Sequence, residues 1–182
     1  MDLPERVLAA PVLLRRFSPD DAEHVRRLAD DRELARWIAA LPHPYLPGMA
    51  EQWIAGHART REGGGEHAYA IARAADGTLV GSLGVRPDAN ENGHFGYWVG
   101  RPYWGQGLAT AATRAAVAIL FAQTDQDAVW ATHMAGNVAS ARVMENCGLV
   151  LVRQETRPVR GEPCVYDVRA ITRDAWEALR NC

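Results

Sequence analysis

Trp104-Gly105-Gln106-Gly107-Leu108-Ala109 follows an aromatic run, Tyr97-Trp98-Val99, and leads at once into alanine-rich sequence. A strand that turns on two glycines into a helix leaves the first N–H groups of that helix pointing outward, a ready site for an anion. Glycine at 105 and 107 keeps side chains away from an approaching phosphate and frees the dihedrals of the turn. Gly105, Gln106, Gly107, Leu108, Ala109 and Thr110 are therefore candidate contacts to a phosphate-bearing ligand. The spacing excludes the commoner phosphate loops. Thr110 stands where G-x-G-x-x-G needs its third glycine, and a chain without a single lysine holds no G-x-x-x-x-G-K-[ST]. No Cys or His pair has zinc-ligand spacing, so no metal is expected.

Three further side chains could do chemistry. His94 stands just ahead of the aromatic strand, and an unperturbed imidazole titrates near 6.5, where it can accept a proton. Asn137 reads as the N-cap of a helix, and Ser140 shares a face of that helix with Val143, Met144 and Cys147. Cys147 falls at the C-terminal end of the same helix, where the negative end of the dipole disfavours a thiolate, so it reads as core. His133, at the end of a strand, is a weaker proton acceptor than His94.

These residues need elements to position them. Residues 12–17 read as a first strand. Ser18-Pro19 with Asp20 and Asp21 opens a helix, since serine caps, proline suits the first position and acids complement the dipole. A second helical segment spans residues 34–40, and a third spans residues 50–61 and stops at Gly63-Gly64-Gly65. Residues 67–73, 78–86 and 94–100 alternate as strands, separated by Asp76-Gly77 and Asn92-Gly93, so an antiparallel meander is expected. A helix over residues 107–123, a strand over 128–134, a short helix ended by Gly148, two closing strands and a terminal helix complete the order. The strand–helix–strand passage from Phe95 to Met134 needs a crossover, so those two strands should be parallel.

The 182 residues suit one domain, residues 1–182, with an apolar content of 48% typical of globular proteins. A formal charge of −2 leaves no basic footprint for nucleic acid. No export signal precedes the first strand and no apolar run approaches a span of about 20 residues, so neither membrane nor secretion is expected. Three scattered cysteines suit a reducing cytoplasm. Oligomeric state stays open, a homodimer included.

Three segments, GYWVGRPYWGQGLAT, GNVASARVMENCGL and VYDVRAITRDAW, carry a resemblance across nearly the whole chain to the GNAT family of N-acetyltransferases. More narrowly the chain resembles the branch containing ribosomal-protein N-terminal acetyltransferases. The resemblance implies an α+β fold: a mixed, mostly antiparallel sheet of about seven strands flanked by helices, with two splayed parallel strands holding acetyl-CoA. It puts the diphosphate on the turn from Trp104 to Thr110, the acetyl carbonyl beside Trp98 and Val99, and the pantetheine arm near Asn137 and Ser140. A primary amine, from a protein N-terminus or a small molecule, would attack the thioester directly.

The sequence departs from the family pattern at Trp104, usually Arg or Gln, at Ala111, usually Glu, and at His94, usually an acid. His94 is then the candidate proton acceptor for the amine and Ser140 a contact to cofactor or a donor to the leaving thiolate. The two acid losses leave open a non-catalytic acyl-CoA-binding module. Trp37, Tyr45 and Trp53 belong with the helices that shape the acceptor pocket in this family. Arg153, Arg157, Arg160 and Arg169 would either favour an acidic acceptor or form a solvated hairpin.

Overall fold

In the computed structural model, which describes residues 3–87 and 93–180, the chain opens with a hairpin of β1 (Arg6–Ala9) and β2 (Val12–Arg15). The sequence signals only β2. Leu8 of β1 points outward at 72% exposure, which spoils the alternation that would have revealed the strand. Asp21 then organises the descent into helix. Its carboxylate accepts from the Ser18 N–H at 2.8 Å and from both terminal nitrogens of Arg15 at 2.7 Å. A 3-10 turn leads to α1 (Ala22–Ala29), and Asp31 caps α2 (Arg32–Ala35) by accepting from the Glu33 and Leu34 amides.

The second helix is shorter than the expected 34–40. Beyond Ala35 the chain continues in i→i+3 turns, and the carbonyls of Ala35, Ile38 and Leu41 accept from Arg160 instead of from a continuing helix. Next comes α3 (Met49–Glu62), close to expectation.

Then β3 (His67–Arg73), β4 (Leu79–Pro87) and β5 (Gly93–Val99) form the antiparallel meander. Asn92 of the expected Asn92-Gly93 turn lies outside the described residues. An alanine-rich helix, α4 (Leu108–Gln123), crosses over to β6 (Ala128–Met134), followed by α5 (Val138–Glu145), the hairpin β7 (Val150–Val159) and β8 (Glu162–Thr172), and α6 (Arg173–Arg180).

Among the described residues the sheet has eight strands in the order β1-β2-β3-β4-β5-β6-β8-β7, one more than the seven expected because of β1. Every neighbouring pair is antiparallel except β5 and β6. Apolar side chains are buried on both faces. On one, α4 and α5 pack Ala112, Ala116, Leu120 and Met144 against Leu83, Phe95, Val129 and Ile171. On the other, Val25, Ala29, Leu34 and Ile54 of the first three helices cover Ala70, Leu79 and Trp98. No described helix is long and apolar enough to cross a membrane.

Candidate active site

Among the described residues the parallel ladder between β5 and β6 has three rungs: Gly93↔Val129, His94↔Trp130 and Phe95↔Ala131. Beyond them β5 stays with β4 through Trp98↔Ser82 and Val99↔Gly81, while β6 stays with β8 through His133↔Asp167 and Met134↔Tyr166. A wedge opens between the two strands. Local chemistry keeps it open. Trp104 donates its indole N–H to the Val99 carbonyl at 2.6 Å, taking the bond a neighbouring strand would have made. The next amide, Gly100, donates to Val80 of β4 at 2.8 Å. Backbone directions alternate along a strand, so the Val99 amide points away from β4 and into the wedge. At Gly81 a side chain would fall 2.1 Å from the Trp98 carbonyl, so only glycine lets β4 draw β5 to its own side here.

Below the wedge lies the glycine turn. Gly105 and Gly107 both have φ +74, a region that L side chains rarely adopt, and a Cβ at either would meet nothing within 4 Å. The glycines thus serve the turn's shape, and the space above it is open. Leu108 is buried and anchors the turn, while Trp104, Gly105, Gln106 and Gly107 are exposed. Gln106 braces the turn by donating to the Pro102 carbonyl at 3.1 Å. α4 starts at Gly107 with no side-chain cap and no acid in its first turn, and its first ladder bond is Ala111 N–H to Gly107 carbonyl. The amides of Leu108, Ala109 and Thr110 precede that bond. The donor set and the open space fit a diphosphate.

One wall of the wedge is the start of α5. Asn137 caps it, its side-chain oxygen accepting from the Ser140 N–H at 3.0 Å, which leaves the Asn137 amide hydrogens to spare. The Ser140 hydroxyl is 3.0 Å from the Tyr97 hydroxyl, a bond that bridges β5 and α5. Burial pushes the Tyr97 phenol up to about 12, the Ser140 bond opposing it, so Tyr97 stays protonated. Sequence reading placed Tyr97 in the aromatic run ahead of the turn and missed its partner. The signal was available: Tyr97 shares the α4 and α5 face of β5, and a buried phenol needs a hydrogen-bond partner. Cys147 is core as expected, its thiol pushed up to about 11 by burial and directed at the Thr110 carbonyl.

His94 and Ser140 lie on opposite faces of the sheet. Ser140 meets Tyr97 and Asn137, whereas His94 shares the other face with Gly96 and Trp98, opposite Trp130 of β6. His133 is not an available proton acceptor. It is buried, its Nε2 accepts from Arg169 at 3.0 Å, and its Nδ1–H therefore donates to the Met134 carbonyl. Arg169, on β8, is likewise buried, pairing with Glu145 at 2.8 Å, and so is not one of the solvated arginines of the hairpin. Arg153 and Arg157 bracket Glu155 and lie over Trp130 and Tyr166 respectively. Trp37 reaches the wedge from the helical side, its ring 3.5 Å from where a side chain at Gly136 would stand. Among the described residues no group of His, Cys, Asp and Glu could hold a metal ion.

A family model described as an acetyltransferase (GNAT) domain matches residues 12–150. The chain is 24% identical over 143 residues to the ribosomal N-acetyltransferase candidate YdaF of Bacillus subtilis strain 168, covering 76% of this chain and 78% of that one. A GNAT-family acetyltransferase from Bacillus anthracis superposes with a TM-score of 0.81 at 19% identity, covering 93% of this chain and 99% of that one. RimL, a ribosomal L7/L12 α-N-protein acetyltransferase solved with coenzyme A, gives 0.79 at 16% identity, with 94% and 99% covered.

Proposed function

This chain belongs to the GNAT acetyltransferase family, and from that premise we propose that it transfers the acetyl group of acetyl-CoA to a primary amine by direct attack. Residues 1–182 act as one catalytic domain. The observation that carries the reading is the three-rung β5–β6 ladder opening above an uncapped helix N-terminus. Acetyl-CoA supplies an activated thioester. The Leu108, Ala109 and Thr110 amides hold its diphosphate, with Gly105, Gln106, Gly107 and Trp104 shaping the turn. A helix dipole contributes only about 0.3–1 kcal/mol to an anion, so aligned hydrogen bonds provide most of the grip.

The Val99 amide, beside Trp98, is the donor placed to polarise the acetyl carbonyl and to stabilise the oxyanion that forms on attack. Asn137 and Ser140 hold the pantetheine arm. A thiol leaves with a pKa of about 8.5. A phenol pushed up to about 12 is too weak an acid to protonate it fully, so the Tyr97–Ser140 pair stabilises the thiolate by hydrogen bonding. Water completes the proton transfer. On the opposite face, His94 accepts the amine's proton.

The ribosomal-protein branch supplies the leading acceptor class, a protein N-terminus, with small-molecule amines second. The test is acetyl-CoA uptake by calorimetry together with release of free CoA across a panel of peptides and amines. No uptake by folded protein overturns the reading. Uptake with no turnover on any amine leaves a non-catalytic binding module. His94→Ala should lower kcat by about 100-fold and remove the acid limb of the pH profile, and an unchanged profile ends its role.

A further inference from the structure

Arg32, Ala35, Arg36, His43 and Arg160 line a cavity of about 340 Å³, and none of them belongs to β5 or β6. No acid is among the lining residues. The Arg32 guanidinium has no ion-pair or hydrogen-bond partner among the described residues, its backbone carbonyl alone accepting from the Arg36 amide. Arg36 lies over the Trp37 ring and meets Glu33 at 3.2 Å, but both partners are more than half exposed, so water screens the pair. Arg160, at the tip of the β7–β8 hairpin, spends one terminal nitrogen on the carbonyls of Ala35, Ile38 and Leu41 and keeps its remaining donors. His43 is 3.4 Å from Asp30. Three guanidinium groups, charged at any working pH and forked to suit a carboxylate, therefore face one small space.

The cavity connects to the wedge side of the molecule through the chain at Trp37. Ala35 and Arg36 immediately precede Trp37, whose ring stands against Gly136, and Gly136 precedes the α5 cap Asn137. Building on the acetyl-transfer reading, we infer that this cavity is an anionic subsite for the acceptor: it takes a carboxylate carried within the first residues after the reacting amine. The favoured acceptor is then a peptide with an acidic N-terminal segment. Arg32 and Arg36 supply the free charge, and Arg160 closes the roof while holding the chain after α2.

Product-like peptides test the subsite without turnover. Two N-acetylated tetrapeptide amides, Ser-Glu-Glu-Ala and Ser-Gln-Gln-Ala, are titrated into wild-type protein and into an Arg32→Ala, Arg36→Ala double variant. The acidic peptide should bind wild type about tenfold more tightly, the range expected for partly screened charge-assisted bonds. The preference should vanish in the double variant while acetyl-CoA uptake stays unchanged. Equal or absent binding of the two peptides overturns the inference, as does a preference that survives the double substitution. Binding of inorganic phosphate to wild type without any acidic-peptide preference also overturns it, and marks a site for free anions. Failure of acetyl-CoA to bind would strike the transfer reading instead, a result the peptide ratio cannot produce.

Discussion

The bond between Tyr97 and Ser140 ties together two hydroxyls that the proposed function sets beside the leaving thiolate. Either hydroxyl could be proposed as an acid, yet each accepts or donates to the other, and burial holds the phenol up to about 12. A hydrogen bond to charge, worth about 1.5–3 kcal/mol, is what this pair can offer. Ser140→Ala should therefore raise KM for acetyl-CoA and lower kcat by about tenfold, with Tyr97→Phe giving a similar loss in steady-state assays. A loss of about 1,000-fold in either variant would instead mark a true proton donor. Ser140 and Asn137 were legible as residues because a cap and a helical face follow from spacing alone. For Tyr97 the need for a partner was legible but the partner was not, because Ser140 lies 43 positions away and only the fold brings them together.

Among the elements, the turn into α4 was the most legible. Its glycines take the left-handed conformation that their type suggested, and the helix begins where the alanines begin. Gly107→Ala should cost about 1–2 kcal/mol from the φ of +74 alone, since no neighbour obstructs the added methyl. Thermal unfolding would register that cost, and calorimetry should show weaker acetyl-CoA binding if the turn holds the diphosphate. Gly107→Asn should recover part of both, because asparagine tolerates this conformation. β3 and β6 run over the residues expected, since polar or glycine-containing breaks on either side of each apolar run leave little freedom. The shortened α2 was illegible for the opposite reason. Its local sequence would continue the helix, and a distant arginine at the β7–β8 tip takes the carbonyls.

Across the whole molecule, the helical layer over β3 and β4 contains a pH-sensitive point. His57 packs edge-on against Trp53 at 4.4 Å and beside Phe17 at 5.2 Å, and neither ring nitrogen has a hydrogen-bond partner among the described residues. Burial lowers its pKa below the ordinary value, with Glu66 opposing and Arg61 assisting. The unfolded chain then binds the proton more readily, so stability is full above about pH 6.5 and declines as pH falls through the folded value. Urea unfolding between pH 5 and 8 should show that decline, and His57→Phe should flatten the part due to this group; an equally steep curve in the variant would assign it elsewhere. The meander, the parallel pair and the splay followed from turn signals, crossover logic and resemblance, whereas β1, the place of β8 between β6 and β7 and the basic cavity came only from folding distant segments together. One consequence follows from the wedge being a gap in main-chain pairing. Under the proposed function, donor recognition written in peptide groups would be insulated from side-chain drift, while an acceptor subsite written in arginines and aromatics would be open to exchange by mutation. A lineage built this way can change its client without relearning its fuel, which accords with a shared architecture persisting at 16–19% identity.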